Sequence, residues 1–485
     1  MISYYWSRRK LYAVAKKIKG PPDISTLPFI GNAHIFLGKT EDVFDKTDSI
    51  FRSVDNEPLK FWLGPVLIVG LKNPVYLEKI LSSSKFAYKH ELYGILEGYL
   101  GEGLVSASGL KPKHKLHRRI IQPLLDLNFV KSSLNILQDH TDLCMEKLNQ
   151  YVDKGKFDIH NVTVKCFMDA ISEVILGHNI KSQERGLTDF CRSSIDMYTI
   201  GFNRLVKPWL HPDLVYDMLP DKAKHEEILK NLHEFIQETI IDSWKRRKLV
   251  VNKNNGNFTA VIDRLASYIE ENPGDINGED FMDHLMTLFT AAFDTLTIVS
   301  SFAILCFGMY PEYQTKAVKE IKSVIGTTPR QLNLDELNKL TYLDMCIKDV
   351  MRLFPIAPFI LRRTLTDYVL DKWVIPKEAA ILVSIFHVHR DKKYWKCPYH
   401  FYPDHFLPDE VKNRHIFAYV PFSAGPRGCI GKTLANVFLK LFLCKVLQRY
   451  EIQADGKVPD LQLRSDISVR PKQGYNCRLT RRIWE

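Results

Sequence analysis

One stretch constrains this chain more than any other: residues 422–431 read Phe-Ser-Ala-Gly-Pro-Arg-Gly-Cys-Ile-Gly. Glycines on both sides of Cys429 permit a tight loop in which backbone N–H groups point at the sulfur. Such contacts lower the pKa of a thiol and favour the thiolate, which is the form that binds metals. A thiolate held in this way is typical of an axial ligand to haem iron, where it favours cleavage of the O–O bond. The loop therefore predicts a haem cofactor and a type of reaction.

Two other interpretations of this loop stay open at this point. With Lys432 and Thr433 it nearly matches the phosphate-binding pattern G-x-x-x-x-G-K-T. Pro426, however, occupies the position of the first glycine and has no N–H to offer a phosphate. The other interpretation is a glycine-rich turn with a buried, unligated cysteine, because buried thiols are common.

The composition is that of a globular protein able to enclose a large cofactor. Of 485 residues, 45% are hydrophobic and 25% are charged, and no Gly/Ser linker, repeat or low-complexity tract divides the chain. The nine cysteines include no C-x-x-C pair and show no zinc or secreted-disulfide spacing. We therefore expect one large domain in a reducing compartment.

Part of the net charge of +11 is concentrated at the amino terminus. An aromatic cluster at 4–6 precedes a run of arginines and lysines, as on the cytosolic side of a membrane span. No apolar run of about 20 residues precedes the cluster. We predict a basic juxtamembrane segment at 1–19 without the span itself, a proline-rich hinge at 20–32 and the main domain at 33–485. A mitochondrial transit peptide is the alternative, because the first segment has no acidic residue.

The hydrophobic pattern predicts a mainly helical chain with a few short strands. An apolar, β-rich stretch from Lys60 to Leu71 is interrupted by Gly64 and Pro65 and predicts a hairpin. Strands are also expected near 366–385 and 460–482. Helical spacing of apolar residues predicts helices at 131–153, 161–177, 222–248, 279–310, 312–325, 335–353 and 432–450.

One predicted helix is long and apolar enough to be compared with a membrane span. The segment from Met286 to Tyr310 has a single charged residue, Asp294. A carboxylate at the centre of a span costs about 2.5–3.5 kcal/mol in lipid, and several Thr and Ser residues add to the polarity. We therefore predict a helix through the core of a large domain, ended by Pro311.

Taken together, the cysteine loop and three further segments resemble the cytochrome P-450 superfamily along nearly the whole chain. Residues 422–431 match its haem-binding signature at every fixed position. The resemblance is closest to the microsomal fatty-acid ω-hydroxylases and their insect relatives, through Tyr419-Val-Pro, His389-Arg-Asp with Trp395, and Gly101-Glu-Gly-Leu-Val. It implies a mainly α fold with small β-sheets, in a single large domain that encloses haem b.

The resemblance also implies a reaction and partners. A haem-thiolate monooxygenase inserts one oxygen atom from O₂ into a lipophilic substrate such as a fatty acid, a lipid hormone or a xenobiotic. Electrons come from NADPH through a flavoprotein reductase, with cytochrome b5 as an additional donor, at the cytosolic face of the endoplasmic reticulum membrane. A mitochondrial location is the alternative. No nucleic-acid partner is expected, because no recognised binding module accompanies the positive charge.

The resemblance assigns oxygen activation to Asp294 and Thr295 in the predicted core helix. That chemistry needs a hydroxyl beside bound dioxygen and a carboxylate one residue away, so that protons arrive in order. A threonine bonded to its own helix carbonyl is the structural alternative. The chain departs from the family at Ala292, usually glycine, and at Ala291, often a glutamate esterified to haem, so no such ester can form here.

A second motif predicts a structural triad. Asp349 and Arg352 stand where the family has Glu-x-x-Arg, and their spacing puts both on one helix face. The family completes the triad with an arginine, for which this chain has His405. Aspartate is one methylene shorter than glutamate, and a histidine can be neutral at pH 7. We expect a buried triad of altered strength.

The resemblance also gives the residues around the haem, with Cys429 as the metal ligand. The other cofactor-binding residues are Phe422, Arg427, Gly431, Arg118, Arg362 and His114. The three arginines are expected to meet the propionates. His114 replaces the family's tryptophan and can donate a hydrogen bond to a propionate, whereas the alternative is a solvated histidine on a basic helix.

Two surfaces complete the expected site. An apolar substrate pocket is expected at Phe289, Phe293, Phe359 and Ile360. A cationic face for an acidic reductase domain is expected at Lys111, Lys113, Lys115, Arg119, Lys432 and Lys440, with solubilising charge or contact with anionic lipid as the alternatives.

Two other functions remain open from the sequence. One is an oxygen-independent haem-thiolate isomerase or dehydratase, which the presence of Asp294 and Thr295 disfavours. The other is a weakly active haem-binding protein, because Asp349, His405 and His114 all depart from the family pattern.

Overall fold

The structure is a computed structural model that describes residues 9–22, 24–108, 113–186, 189–250, 258–377 and 379–484. Helices predominate in these residues. The α-helices are α1 (Arg9–Ala15), α2 (Val43–Arg52), α3 (Pro74–Leu81), α4 (Glu97–Leu100), α5 (Lys113–Ile121), α6 (Leu127–Leu148), α7 (His160–Leu176), α8 (Ser182–Arg185), α9 (Asp189–Val206), α10 (Asp213–Tyr216), α11 (Pro220–Val250), α12 (Val261–Glu271), α13 (Gly278–Met309), α14 (Pro311–Val324), α15 (Leu334–Lys339), α16 (Thr341–Leu353), α17 (Ile385–Val388), α18 (Pro408–Lys412) and α19 (Lys432–Arg449).

The strands are short and form small separate sheets. They are β1 (Leu59–Leu63), β2 (Val66–Leu71), β3 (Phe157–Asp158), β4 (Phe359–Arg363), β5 (Tyr368–Leu370), β6 (Trp373–Ile375), β7 (Ala380–Ser384), β8 (Tyr450–Gln453), β9 (Leu463–Ser465), β10 (Val469–Pro471) and β11 (Asn476–Arg481). The largest sheet has the order β1-β2-β7-β4, in which β2 pairs with β7 in parallel and the two outer pairs are antiparallel. The predicted hairpin at 60–71 is confirmed, with Leu63 paired to Val66 across the Gly64-Pro65 turn.

Helix α13 forms the centre of the molecule. Asn277 caps its first turn by accepting the N–H of Asp280 at 2.7 Å, and the helix ends before Pro311. From Leu285 onward nearly every residue is buried, against α7, α16 and α19 among others. In the described residues it is the one helix long and apolar enough to cross a membrane, and 83% of its most apolar window lies inside the protein. The prediction of a core helix is confirmed.

The amino-terminal segment packs on the largest sheet. In α1, Tyr12 stacks on Trp62 of β1 with ring centroids 4.5 Å apart, and Ile18 is fully buried. Asn32 donates its side-chain amide to the Ile24 carbonyl and accepts the N–H of Trp62 at 2.9 Å. These contacts pack residues 9–22 and 24–32 against the body of the protein. The juxtamembrane segment at 1–19 and the rigid, proline-rich hinge at 20–32 stay predictions. The aromatic cluster at 4–6 lies outside the described residues.

The other predicted elements are present with small shifts of their ends. The predicted helix at 335–353 is divided at Leu340 into α15 and α16. Strands β5, β6 and β7 occupy the predicted region near 366–385, and β9, β10 and β11 occupy the region near 460–482. The mainly α fold with small sheets is confirmed, and residues of α13 and of the start of α19 line one cavity.

Candidate functional site

The loop that presents Cys429 is held by its own backbone. The N–H of Cys429 donates to the carbonyl of Phe422 at 2.9 Å, and the N–H of Gly428 donates to the carbonyl of Gly425 at 3.0 Å. Gly425 has a φ of +63°, and a Cβ atom there would lie 2.0 Å from the carbonyl oxygen of Leu81. Only glycine fits this position, so the loop folds tightly just before α19 begins.

The surroundings of the Cys429 sulfur favour a thiolate once a cation is bound to it. Burial raises the pKa of the Cys429 thiol. Hydrogen bonds from the backbone N–H groups of Gly431 and Lys432, together with the positive charge of Arg118, act in the opposite direction. These N–H groups belong to the amino-terminal end of α19, where the helix dipole also stabilises negative charge. The sulfur is nonetheless exposed to the neighbouring cavity, where a metal ion can replace its proton.

That cavity has a volume of about 420 Å³ and is mostly apolar. Most of its lining residues come from α13, from the segment around β4, from the cysteine loop and from the region between α3 and α5, and others come from α5, α9 and the turn between β9 and β10. Those of interest here are Lys89, Tyr93, Arg118, Tyr198, Ala291, Asp294, Thr295, Phe359, Ile360, Phe422, Arg427, Cys429, Gly431 and Ser468. The structure therefore brings most of the predicted site residues to one place.

Four buried or half-buried cations, Lys89, Arg118, Arg362 and Arg427, lie at one side of the cavity. None of them forms an ion pair with a carboxylate among the described residues. Burial and the neighbouring Arg362 and Arg427 hold the pKa of Lys89 well below its ordinary value. Burial and repulsion from Arg362 and Arg118 lower the pKa of Arg427 to about 9. Such uncompensated charge fits an anionic ligand, which a haem supplies through its propionates.

The four cations differ in how they are held. Arg427 donates to the carbonyls of Ala87, Leu104 and Ala107, at 2.7, 3.3 and 2.8 Å. Arg118 has no hydrogen-bond partner among the described residues, although it lines the cavity. Arg427 is therefore fixed by the fold, whereas Arg118 is free to turn towards a ligand.

Arg362 and His114 stand behind the lining of the cavity. Arg362 donates to its neighbour's carbonyl at 2.9 Å and lies 3.4 Å from the hydroxyl of Ser423. His114 is buried, and burial with the nearby Arg427 lowers its pKa to about 3, so its ring is neutral. Its Nε2 has no hydrogen-bond partner within the described residues. An orphaned nitrogen beside a group of cations also fits a ligand that bears acceptor oxygens.

The two residues assigned to oxygen activation line the cavity, but each already has another partner. Thr295 donates its hydroxyl to the carbonyl of Ala291 at 2.8 Å. Asp294 accepts from one nitrogen of Arg470, at 2.9 and 3.0 Å to its two oxygens. Burial raises the pKa of Asp294, and Arg470 lowers it. The carboxylate and the hydroxyl are therefore adjacent without contacting each other.

The predicted triad forms as a fully buried cluster. Arg352 donates to Asp349 at 2.6 and 3.2 Å, and Asp349 also accepts the N–H of Tyr402 at 2.7 Å. His405 contacts the same carboxylate through Nδ1 at 3.0 Å. Burial raises the pKa of Asp349, but Arg352 and His405 outweigh it, so the net pKa is lowered. The shorter aspartate thus still reaches both of its partners.

Phe289 and Phe293 do not line the cavity, which corrects their assignment to the substrate pocket. Both rings are buried on another face of α13, against Phe190 of α9, at centroid distances of 5.5 and 6.3 Å. Phe359 and Ile360 do line the cavity. Helix α13 is apolar on nearly all sides, so its sequence does not indicate which side faces the cavity.

The predicted cationic face is smaller than expected. Lys113 pairs with Asp280 at 2.7 Å and with Glu102 at 3.0 Å, and Lys440 pairs with Asp344 at 3.0 Å. Lys111 lies outside the described residues. The predicted residues that remain exposed are Lys115, Arg119 and Lys432.

Sequence reasoning missed Lys89 and Arg470. Lys89 lines the cavity, with its ammonium 4.2 Å from the ring centroid of Tyr93, and it donates to the Val105 carbonyl. Arg470 reaches Asp294 from β10 across 176 positions of sequence. A lone basic residue in a buried strand was a usable signal for Arg470, whereas nothing local distinguishes Lys89 from a surface lysine.

Comparisons with known proteins agree with this geometry. A family model described as Cytochrome P450 matches residues 21–478. Cytochrome P450 4V2 of Rattus norvegicus is 30% identical over 465 residues, which are 94% of this chain and 88% of that protein. Cytochrome P450 4c21 of Blattella germanica is 27% identical over 480 residues, which are 97% of this chain and 94% of that protein.

Among solved structures, the crystal structure of cytochrome P450DA heme domain has the same fold. The TM-score is 0.80, and the match covers 96% of this chain and 98% of that chain, at 17% sequence identity. At this identity the likeness shows the fold alone.

Proposed function

Because the chain belongs to the cytochrome P450 family and is a haem-thiolate monooxygenase, we propose that it oxidises a lipophilic substrate with electrons from NADPH, received through a flavoprotein reductase. The observation that carries the proposal is the Cys429 sulfur, which faces an apolar cavity while two backbone N–H groups at the start of α19 contact it. Bound there, haem supplies the activation of O₂ and the insertion of one oxygen atom into a C–H bond.

The chain offers the cofactor a thiolate ligand and a group of cations. Cys429 is the proposed axial ligand, and Phe422 and Gly431 shape the loop around it. Arg118, Arg427 and Lys89 are proposed to hold the propionates, with Arg362 behind them. The haem charge would offset their mutual repulsion.

Asp294 and Thr295 are the proposed route for protons. Thr295 Oγ1 would accept a proton from Asp294 and release its own into the cavity, after which Asp294 takes up another from solvent. Both residues line the cavity, and the raised pKa of buried Asp294 supports its ability to hold a proton.

A lipophilic substrate is supported by the chemistry of the cavity wall. Leu96, Leu100, Leu104, Phe359 and Ile360 present hydrocarbon surface, and most of the cavity wall is apolar. A fatty acid, a lipid hormone or a xenobiotic all suit such a wall. The similarity to cytochrome P450 4V2 and to insect cytochromes P450 4c21 and 4c3 is consistent with this range without selecting one.

For the reductase, the proposed docking surface is the exposed basic set Lys115, Arg119 and Lys432. Lys432 is the first residue of α19, directly after the cysteine loop, so an acidic partner there would approach the haem closely. Cytochrome b5 is proposed to use the same charge complementarity.

A membrane surface is proposed as the third partner. Leu37, Leu214 and Met218 expose 59%, 79% and 81% of their surfaces. Lys207 donates to the carbonyl of Gly38, next to Leu37, at 3.4 Å. Exposed apolar side chains of this kind suit the interfacial layer of a bilayer. We propose the cytosolic face of the endoplasmic reticulum membrane, with a mitochondrial membrane as the alternative.

The test is oxygen incorporation. Haem-loaded protein, reductase and NADPH are incubated under isotopically labelled O₂ with fatty acids, lipid hormones and xenobiotics that shift the haem spin state. One labelled atom per oxidised product supports the proposal. An unlabelled product contradicts it in favour of an isomerase or dehydratase, and thiolate-bound haem without any product contradicts it in favour of a weakly active haem protein.

A further inference from the structure

A buried charge cluster connects the core helix to the hairpin formed by β9 and β10. Arg470 of β10 donates through Nη2 to both oxygens of Asp294, and through Nε to Asp466 at 3.0 Å. The side chains of Arg470, Asp294 and Asp466 are at most 5% exposed. One guanidinium is thus shared between a carboxylate of the reaction site and a carboxylate that does not line the cavity.

Asp466 is held in place by its own hairpin. It accepts the N–H of Ser468 at 2.8 Å, and it lies 3.6 Å from the guanidinium of Arg464, which is 27% exposed. Its position four residues before Arg470 lets it orient the arginine locally, so that Nη2 points at α13. Asp466 can therefore keep its bond to Arg470 whether or not Asp294 stays.

The charges of Arg470 and Asp466 affect the protonation of Asp294. Burial raises the pKa of Asp294, Arg470 lowers it, and Asp466 raises it again. Burial lowers the pKa of Arg470, but Asp294 and Asp466 together raise it far above its ordinary value. With two carboxylates around one permanent cation, the cluster can accept one proton without leaving the arginine unpaired.

The other titratable groups that face Asp294 remain neutral. They are the phenols of Tyr99, Tyr198 and Tyr475, whose pKa values are raised by burial and in part by Asp294 itself. Arg470 and Asp466 are therefore the charged groups that decide the protonation of Asp294, with Arg464 acting through Asp466.

We propose that Arg470 is a positioning residue that holds Asp294 at rest, and that Asp466 becomes the sole partner of Arg470 when Asp294 takes up a proton and turns to Thr295. The proton comes from solvent and passes to Thr295 Oγ1, whose own proton leaves into the cavity. Asp294 is thereby restored as a carboxylate and returns to Arg470. This inference rests on the proposed monooxygenase function, because it assigns a step to that reaction.

The first test follows the protonation of Asp294 in the resting protein, without turnover. Infrared difference spectra report the C=O stretch of a protonated carboxyl, and the band of Asp294 is the one lost in Asp294→Asn. Asp466→Asn should move its titration midpoint to lower pH, because a negative charge is removed. Arg470→Gln should move the midpoint to higher pH, and Arg470→Lys should restore most of the wild-type value. Unchanged midpoints in Asp466→Asn and Arg470→Gln would overturn the inference.

The second test separates positioning from structure. In Asp466→Asn, Arg470 holds Asp294 more tightly, so kcat should fall about tenfold and its solvent isotope effect should rise, with KM unchanged. Asp466→Asn is nearly isosteric, so it remains informative even if Arg470→Gln does not fold. Wild-type kcat and isotope effect in Asp466→Asn would overturn the inference. If the wild-type protein incorporates no labelled oxygen, the proposed function fails, and the infrared titration alone decides the control of Asp294 by Arg470 and Asp466.

Discussion

His405 donates the proton on its Nδ1 to Oδ1 of Asp349 across 3.0 Å, and its Nε2 accepts the N–H of Cys397 at 3.3 Å. This pair of contacts assigns a neutral ring with its hydrogen on Nδ1. Burial lowers the pKa of His405, in agreement with that state. The triad of this chain therefore contains one positive charge, on Arg352, rather than two.

Removing His405 should destabilise the fold even though the ring is uncharged. His405→Ala leaves Asp349 with one hydrogen bond fewer and opens a cavity, so we expect a loss of about 3 kcal/mol in the free energy of unfolding. Chemical denaturation measures it. The matched control is His400→Ala in the same segment. Because the ring of His400 is exposed, its removal should change the free energy of unfolding by less than about 0.5 kcal/mol. Equal stability of the two variants would count against a structural triad.

Buried neutral histidines should make the protein sensitive to acid. Burial lowers the pKa of His160 to about 3, whereas the unfolded chain titrates near 6.5. The unfolded state binds more protons between these values, so the stability is full above pH 6.5 and falls as the pH is lowered. In His160→Phe the slope of unfolding free energy against pH near 5 should be smaller by about 1.4 kcal/mol per pH unit. An unchanged slope would show that His160 is protonated in the folded state.

Substitutions of Arg118 and Arg427 should differ in their effects on haem affinity and on stability. Arg118→Gln removes a cation without a hydrogen-bond partner in the described structure, so we expect the haem dissociation constant to rise at least about tenfold while the haem-free protein keeps its stability. Arg427→Gln also removes hydrogen bonds to the carbonyls of Ala87, Leu104 and Ala107. It should therefore lower both the haem affinity and the stability of the haem-free protein. Haem transfer to an acceptor protein and thermal unfolding give the two readouts. Identical behaviour of the two variants would argue against this division.

Phe359 and Phe293 should respond to truncation in different assays. Phe359→Ala enlarges the cavity and should change the affinity for lipophilic ligands, measured as a spin-state shift. Phe293→Ala removes a ring packed against Phe190 and should cost about 3–5 kcal/mol of stability. Its ligand affinities should stay near those of the parent protein. A large change in ligand affinity in Phe293→Ala, without one in Phe359→Ala, would indicate that Phe293 lines the substrate pocket.

The sequence predicts this fold well where a pattern is local. The cysteine loop has a fixed order of glycines, and the hairpin at 60–71 and most helices follow from the spacing of apolar residues. The helix α13 was predictable as a buried element, but not which of its sides faces the cavity, because it is apolar nearly all round. That is why Phe289 and Phe293 were misassigned.

Contacts between distant parts of the chain could not be predicted from the sequence. Arg470 meets Asp294 only because the β9–β10 hairpin packs beside α13, and Lys89 joins the arginines only through the tertiary fold. A single sequence contains no signal of such pairs. The residues most readily predicted were those whose local backbone already requires them, such as Gly425.

The central claim is that the folded chain holds Cys429 as a thiolate on haem iron. Its most direct measurement is the absorption spectrum of the reduced, CO-bound protein. We predict the red-shifted Soret band of a thiolate-ligated haem, and its complete loss in Cys429→Ala. A Soret band typical of imidazole or neutral-thiol ligation in the wild-type protein, or a red-shifted band that persists in Cys429→Ala, would contradict the claim.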